Sequence, residues 1–249
     1  MKTRLLAAAI HFLAGAFVIF LSLCVIYFIW YPKPFYTLFS VFDAVKIVLI
    51  VDLVLGPFLT FVVFDKTKAG NVLMRDISII VVFQVIALSW GMHITHKMRP
   101  LFLVFQGETF YPVIKDDIDL KSLSSMTAPG IWEQPKTAYA EPLKGEQAIQ
   151  RLTKLAKGDE VIGEMYLAEN YRPLNLQEDS EYRRNVVKKA LPHEKLMGID
   201  VLKNSINSLL VSQGGVIDSY LFYPIENDTF KGVIVFKKGD FMFSGLISL

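Results

Sequence analysis

The sequence predicts a membrane protein in which a three-helix transmembrane bundle precedes an α+β domain. Hydrophobic residues make up 53% of the chain and the mean hydropathy is +0.40, which is high for a soluble globule. Apolar stretches long enough to cross a bilayer fill the first hundred residues, whereas charged residues crowd the chain after Asp116. We therefore place the bundle in residues 1–97, with helices at about 5–30, 45–64 and 77–95, and the second domain in residues 98–249.

The first predicted span, Leu5–Trp30, contains 26 residues and no Asp, Glu, Lys or Arg. At 1.5 Å per residue it would reach about 39 Å, which exceeds the hydrocarbon thickness of about 30 Å. The run Ala14–Ala16 has the small residues of a signal-peptide cleavage site, but the apolar stretch continues for fourteen residues beyond it. We therefore expect an uncleaved signal anchor.

The second and third predicted spans are Val45–Phe64 and Ile77–Ile94, and aromatic residues near the ends of the spans suit the headgroup region. Basic residues in short loops set the orientation of such bundles. One side of the membrane would carry Lys2, Arg4, Lys66, Lys68 and Arg75. This distribution predicts a cytoplasmic N-terminus, a multi-pass topology and a second domain on the far side of the membrane.

Asp52 is the most unusual residue of the predicted bundle, because an ionised acid at mid-span costs about 2.5–3.5 kcal/mol on insertion scales. Asp52, Gly56 and Thr60 follow one another at four-residue intervals and share one helix face, while Pro57 predicts a kink. The other spans carry comparable polar stripes: His11, Gly15 and Ser22 in the first, and Gln84, Gly91 and Thr95 in the third. Three roles remain open for Asp52: holding the bundle together, recognising a polar group on another transmembrane helix, or conducting ions.

Arg99-Pro100 ends the third helix, because proline favours extended structure in its neighbour. A hairpin is predicted next, followed by a polar loop over Asp116–Pro142 with short helical pieces. The remaining predicted elements are helices Gly145–Lys157, Asp179–Leu191 with Asp179 as N-cap, and His193–Val211 with an interruption at Gly198, then strands Ser219–Ile225, Gly232–Phe236 and Phe241–Ile247.

The sequence lacks the patterns of an enzyme or a cofactor site. It has no glycine-rich phosphate loop, no H-E-x-x-H and no G-x-S-x-G, and its one cysteine, Cys24, excludes C-x-x-C chemistry. We therefore predict no catalytic centre, no cofactor and no metal. The net charge of +2 argues against nucleic acid as a partner. The pairs Arg183-Arg184 and Lys188-Lys189 are interpreted as a solvated helix face.

Two motifs resemble a known family. The string V-D-L-V-L-G-P-F-L-T, which begins at Val51 and contains Asp52, Gly56, Pro57 and Thr60, is similar to the second span of the TfpX/TfpZ (FimB-like) type IV pilin accessory proteins. Arg99-Pro100 followed by L-F-L-V-F is the other motif. The resemblance covers most of the chain and is strongest from residue 1 to about 114.

This resemblance implies a non-enzymatic inner-membrane protein of a Gram-negative bacterium, with a periplasmic second domain, that assists a type IV pilin in stability and pilus assembly. The implied partners are the transmembrane helix and periplasmic head of the major pilin, the pilus assembly machinery and membrane lipid. The motif residues Asp52, Gly56, Pro57, Thr60, Arg99 and Pro100 are the candidates for partner binding. Two alternatives stay open, a membrane-anchored periplasmic ligand sensor and a pilin-modifying enzyme.

Overall fold

The computed structural model of the chain describes residues 1–39, 41–227 and 230–249, and the chain divides into two compact units. One unit, called here the helical unit, consists of residues 1–32 and 40–99. The other, called the sheet domain, consists of residues 100–249 together with the short segment 33–39. Within the sheet domain, Asn227 Nδ2 donates a hydrogen bond to the Leu38 carbonyl oxygen (3.2 Å), so the segment 33–39 is tied to residues far along the chain.

The N-terminal third of the chain is almost entirely helical. Its α-helices are α1 (Lys2–Val25), α2 (Phe35–Leu38), α3 (Val41–Ile50), α4 (Gly56–Val63) and α5 (Gly70–Lys97). A π-helical turn, Ile26–Trp30, extends α1, and another, Val51–Leu55, joins α3 to α4. Among the described residues, two helices are long and apolar enough to cross a membrane: Lys2–Trp30 and Gly70–Lys97.

The helical unit is held together at both ends by polar contacts. At one end, an Arg4 guanidinium nitrogen lies 2.5 Å from Asp65 Oδ2. At the other end, the Tyr31 hydroxyl donates to the Thr95 carbonyl oxygen at 2.9 Å. Between these ends, α1 and α5 both pack mainly against the segment from α3 to α4 rather than against each other. That segment begins at Val41, four residues before the predicted start of the second span.

The sheet domain is built on a mixed seven-stranded sheet with the order β4-β3-β1-β2-β5-β6-β7. Its strands are β1 (Pro100–Gln106), β2 (Thr109–Ile114), β3 (Lys136–Ala140), β4 (Tyr171–Pro173), β5 (Tyr220–Glu226), β6 (Lys231–Lys237) and β7 (Phe243–Ser248). Two neighbouring pairs, β1–β3 and β2–β5, are parallel, and the others are antiparallel. The central strand β1 is buried at six successive positions, as expected for a strand covered on both faces.

Four α-helices belong to the sheet domain: α6 (Gly145–Ala156), α7 (Glu181–Lys188), α8 (His193–Met197) and α9 (Asp200–Gln213). Leu196 of α8 and Ile206 of α9 are buried in one hydrophobic cluster with Phe222 and Val235 of the sheet. A second cluster surrounds Phe102 and Tyr171 at the other end of the sheet. The apolar residues of β1, β5 and β6 thus supply the core of this domain.

The structure confirms the predicted hairpin after Arg99-Pro100, the three predicted C-terminal strands and the interruption of a helix at Gly198. The predicted loop over Asp116–Pro142 is wrong in part, because strand β3 lies within it and pairs parallel to β1. The predicted N-cap Asp179 is also wrong. Ser180 caps α7 instead, since its hydroxyl accepts a hydrogen bond from the Arg183 N–H at 3.1 Å.

Candidate functional site

The polar face of the second helical segment is directed into the helical unit. Asp52 is 4% exposed, Thr60 is 2% exposed, and Gly56 and Pro57 between them are buried. Val54 and Phe58 lie on the opposite face and are exposed. The four-residue spacing of the polar residues therefore identifies the inner face of this segment.

Asp52 lies in the π-helical turn that immediately precedes Gly56-Pro57. Proline has no N–H to donate to the preceding turn, so a regular α-helical hydrogen bond is lost at Pro57. The widened turn ends where α4 begins, and Pro57 occupies its first turn, where a missing N–H is tolerated. Single π-helical turns of this kind are frequent at functional sites in helices.

A chain of hydrogen bonds joins all three helical segments around Asp52. Thr60 Oγ1 lies 2.7 Å from His11 Nδ1, and His11 Nε2 lies 2.6 Å from Gln84 Oε1. The Gln84 amide nitrogen lies 3.2 Å from the Asp52 carbonyl oxygen and 3.5 Å from Asp52 Oδ1. We call His11, Asp52, Thr60 and Gln84 the polar cluster. It links α1, the segment from α3 to α4, and α5.

The contacts of the polar cluster are consistent with one assignment of hydrogen-bond donors and acceptors, in which each group donates to the next from Thr60 to Asp52. The amide oxygen of Gln84 can only accept, so His11 donates to it from Nε2. In the neutral ring Nδ1 is then an acceptor, and the Thr60 hydroxyl donates to it. The Gln84 amide nitrogen donates in turn to Asp52. One neutral tautomer of His11 thus satisfies every contact from Thr60 to Asp52.

Two glycines allow this close approach of the helices. A Cβ atom added to Gly56 would collide with the side-chain amide of Gln84. A Cβ atom added to Gly15 would lie 3.5 Å from the Asp52 carbonyl oxygen, which is an ordinary contact distance. Small residues at the contacts between apolar helices permit such packing. Gly56 is therefore the residue whose lack of a side chain makes room for the Gln84–Asp52 contact.

The Asp52 carboxylate is incompletely satisfied. Within the described part of the chain, its only hydrogen-bond donor is the Gln84 amide, at the long distance of 3.5 Å. A carboxylate can accept about four hydrogen bonds. A buried acid with one weak donor has spare capacity for a polar group supplied by another molecule.

A cavity of about 460 Å³ lies beside the polar cluster, between α1 and α5. All four members of the cluster line it. The remaining wall is apolar and comprises Ala7, Ile10, Ala14, Gly15, Val18, Phe64, Ile77, Val81, Val85 and Leu88. Its volume falls in the range of about 300–1,000 Å³ that is usual for ligand pockets. The cavity combines an apolar wall, small residues on α1 and one polar patch.

The other predicted site residues do not join this cluster. Arg99 is buried near the end of α5, fifteen residues after Gln84, which corresponds to about 20 Å along a helix. Pro100 begins β1 in the sheet domain. Ser22 and Thr95, from the predicted stripes, bond to carbonyl oxygens four residues earlier in their own helices. The sequence indicated the polar faces but not which members of each stripe would meet.

The titratable side chains of the polar cluster are one histidine, His11, and one carboxylate, Asp52. In residues 1–39, 41–227 and 230–249, no group of three or more His, Cys, Asp or Glu side chains is placed to hold a metal ion. His11 is engaged through both ring nitrogens, and the cavity wall beside it is apolar. The site therefore offers shape, apolar contact and one hydrogen-bonding carboxylate.

Three curated relatives are similar to this chain, all from Dichelobacter nodosus. The fimbrial assembly protein of serogroup I is 32% identical over 126 residues, and that of serogroup E1 is 34% identical over 127 residues. The fimbrial assembly protein of serogroups C1 and C2 is 32% identical over 126 residues. Each match covers 49% of the present chain.

The chain spans about half the length of two of these relatives, 49% in each case, and 96% of the protein of serogroups C1 and C2. No protein-family model matches the sequence. No solved structure matches it either.

Proposed function

Because the chain belongs to the family of fimbrial assembly proteins, we propose that it is a non-enzymatic inner-membrane accessory protein of pilus biogenesis. In this role it would bind a type IV pilin before assembly, keep it stable in the membrane and present it to the assembly machinery. The single observation that carries the proposal is the cavity beside the polar cluster, since its wall suits an apolar helix and its one carboxylate has an unused acceptor.

The proposed topology has three crossings and a cytoplasmic N-terminus. The helix Lys2–Trp30 and the helix Gly70–Lys97 each have spanning length, and the helical segment from Val41 to Val63 would reach about 34 Å. The contact between Arg4 and Asp65 supports a common side for the N-terminus and the second loop. That side carries most of the loop lysines and arginines, as the cytoplasmic side does in membrane proteins. The sheet domain would then be periplasmic.

The proposed binding mode is lateral entry of the pilin's transmembrane helix into the cavity between α1 and α5. Helices associate in lipid through close van der Waals packing and interhelical hydrogen bonds, because lipid offers no hydrophobic driving force. The small side chains Ala7, Ala14 and Gly15 suit close packing, and Asp52 would accept a hydrogen bond from a polar group of the incoming helix. A lipid acyl chain in the same place would leave that acceptor unused.

Co-purification of the full-length protein with the major pilin of the same cell tests this proposal. Asp52→Asn retains an acceptor oxygen and should reduce the pilin recovered by a few-fold, whereas Asp52→Ala removes it and should reduce recovery by about tenfold, equivalent to about 1.4 kcal/mol. Val54→Ala is the control, because Val54 lies on the opposite, exposed face of the same segment and outside the cavity. Wild-type protein that captures no pilin, together with normal pilus numbers after deletion of the gene, would refute the proposed role.

A further inference from the structure

A second cavity, of about 420 Å³, lies in the sheet domain and is surrounded by cations. Arg183, Arg184 and Lys188 come from α7, and Lys238 comes from the turn between β6 and β7. Val187, Leu221 and Phe241 supply apolar surface. We call this site the basic pocket. The sequence placed three of these cations on a solvated helix face, but the fold brings them together with Lys238 from a distant turn.

The positive charge of the basic pocket is largely unneutralised. Arg184 is paired with Asp179 at 2.9 Å. Within the described part of the chain, the side chains of Lys188 and Lys238 make no hydrogen bond or ion pair, and Arg183 has no carboxylate partner. The nearby Asp240 carboxylate accepts a hydrogen bond from the Met242 N–H at 3.1 Å and so serves the turn. The three remaining cations favour a ligand with more than one negative charge.

Arg183 is held in place before any ligand arrives. Its guanidinium carbon lies 5.3 Å from the centroid of the Phe241 ring, within the range of a cation–π interaction. One of its terminal nitrogens donates to the Gly239 carbonyl oxygen at 2.8 Å. Phe241 has a backbone φ of 52°, a left-handed conformation that is rare outside glycine. Such conformations cluster at ligand clamps and other functional sites.

We propose that the basic pocket binds an acidic peptide segment in which carboxylate side chains flank an apolar one. The apolar residues Val187, Leu221 and Phe241 would receive the central side chain, and Lys188 and Lys238 would pair with the carboxylates. A phosphate group alone would pair with the cations but leave the apolar residues Val187, Leu221 and Phe241 uncovered, so the mixed lining favours a peptide. This site is independent of the cavity in the helical unit.

Fluorescence anisotropy with labelled peptides tests the proposal on the full chain in neutral detergent. The probe is the peptide Asp-Leu-Glu-Leu-Asp, and its comparison is Asn-Leu-Gln-Leu-Asn. We expect the acidic peptide to bind at least about tenfold more tightly than the amide peptide, and its affinity to fall as the salt is raised from about 50 mM to about 500 mM. Equal binding of the two peptides, or no binding of either, would overturn the proposal.

Paired lysine variants locate the binding site. Lys188→Gln with Lys238→Gln should weaken the acidic peptide by roughly three- to thirtyfold, since exposed ion pairs contribute modestly, while arginine at both positions should retain binding. The control is Lys157→Gln with Lys203→Gln, which removes the same charge from exposed positions outside the pocket and should leave affinity unchanged. Equal loss in both glutamine pairs would contradict the assignment. So would stronger competition by glycerol 3-phosphate, the headgroup chemistry of anionic lipid, than by unlabelled acidic peptide.

Discussion

The two units of the molecule place polar and apolar side chains in opposite ways. Among the described residues, the buried polar or charged side chains are Asp52, Thr60 and Arg99, and all three belong to the helical unit. In the sheet domain the largest fully buried side chains are aromatic or aliphatic, such as Phe102, Phe222 and Tyr223. The same helical unit exposes large apolar residues, with Phe17 at 63% and Phe83 at 69%. The proposed placement accounts for this difference, because a unit in lipid exposes apolar side chains and encloses polar ones, whereas a domain in water buries its apolar side chains.

Each unit also handles its charged groups differently. The polar cluster encloses one acid, which accepts hydrogen bonds from Gln84 on α5, and Gln84 in turn contacts His11 on α1. The basic pocket leaves Lys188 and Lys238 exposed, where water can solvate them. Burying an ion in an apolar medium is costly, whereas an exposed ammonium group needs no partner. The two cavities are therefore suited to different ligands, one apolar with a polar group and one acidic.

The largest expected effect compares a buried and an exposed phenylalanine. Phe222→Ala in the sheet domain should destabilise that domain by about 3–5 kcal/mol, because Phe222 is fully buried and a cavity would remain. Phe83→Ala in the helical unit should change stability by less than about 0.5 kcal/mol in detergent, since Phe83 is 69% exposed. Chemical unfolding of both full-length variants in micelles measures this. Similar losses in the two variants would break the comparison.

A smaller effect is expected at Gly56. Gly56→Ala should destabilise the helical unit by about 1–3 kcal/mol, because the added methyl group collides with the Gln84 amide and displaces its contact with Asp52. Gly70→Ala is the matched control, since a Cβ atom there meets nothing within 4 Å. Thermal unfolding in detergent distinguishes the two. An unchanged midpoint for Gly56→Ala would show that the helices tolerate a wider separation at this point.

A substitution at Tyr223 in the sheet domain is expected to stabilise the protein, in contrast to the substitution at Gly56. Its hydroxyl is buried, and no hydrogen-bond partner for it exists among the described residues; burial also raises the pKa of this phenol. Tyr223→Phe removes an unsatisfied polar group without changing the ring, so we expect a gain of about 0.5–1 kcal/mol. The free energy of unfolding measured by denaturant titration checks this. A loss of stability would mean that the hydroxyl has a partner, such as an ordered water.

The smallest predicted effect is a pH dependence at the loop between α4 and α5. Hydrogen bonds from the Thr67 N–H and hydroxyl, and then from Arg4, lower the pKa of Asp65 to about 2. Because the folded pKa lies below the unfolded value of about 3.9, the stabilisation is present above about pH 4 and is lost as the pH falls toward 2. The unfolding midpoint of wild type should therefore decline more steeply than that of Asp65→Asn across this interval. Parallel curves would contradict the assignment.

Local patterns in the sequence were sufficient to predict the long helices and the hairpin of β1 and β2. The apolar run Leu5–Trp30 lies within the observed helix Lys2–Trp30. The hairpin of β1 and β2 follows from a continuous apolar run and a stretch of β-formers on either side of a Gly-containing turn. The strands β3 and β4 could not be predicted in this way. β3 pairs in parallel with β1, and β4 has only three residues, so both depend on contacts distant in sequence.

For the candidate site, the sequence predicts which helix faces carry polar residues, but not which of these residues meet. The spacing of Asp52, Gly56 and Thr60 placed them on one side of a helix, and the structure buries that side. The pairing of His11 with Gln84 depends on the relative register of α1 and α5, which neither helix encodes alone. Likewise, Lys238 joins the cations of α7 through the turn between β6 and β7, about fifty residues later in the chain. Such juxtapositions are set by tertiary packing.

Site-specific photo-crosslinking in the native cell tests the central claim most directly. A benzophenone side chain is introduced at Val81, which lines the cavity of the helical unit, or at Phe83, two residues away on α5 and outside the cavity. If the cavity receives the transmembrane helix of the pilin, the crosslinked product with pilin forms from position 81 and not from position 83. Equal crosslinking from both positions, or crosslinking only from position 83, would contradict the proposed binding mode.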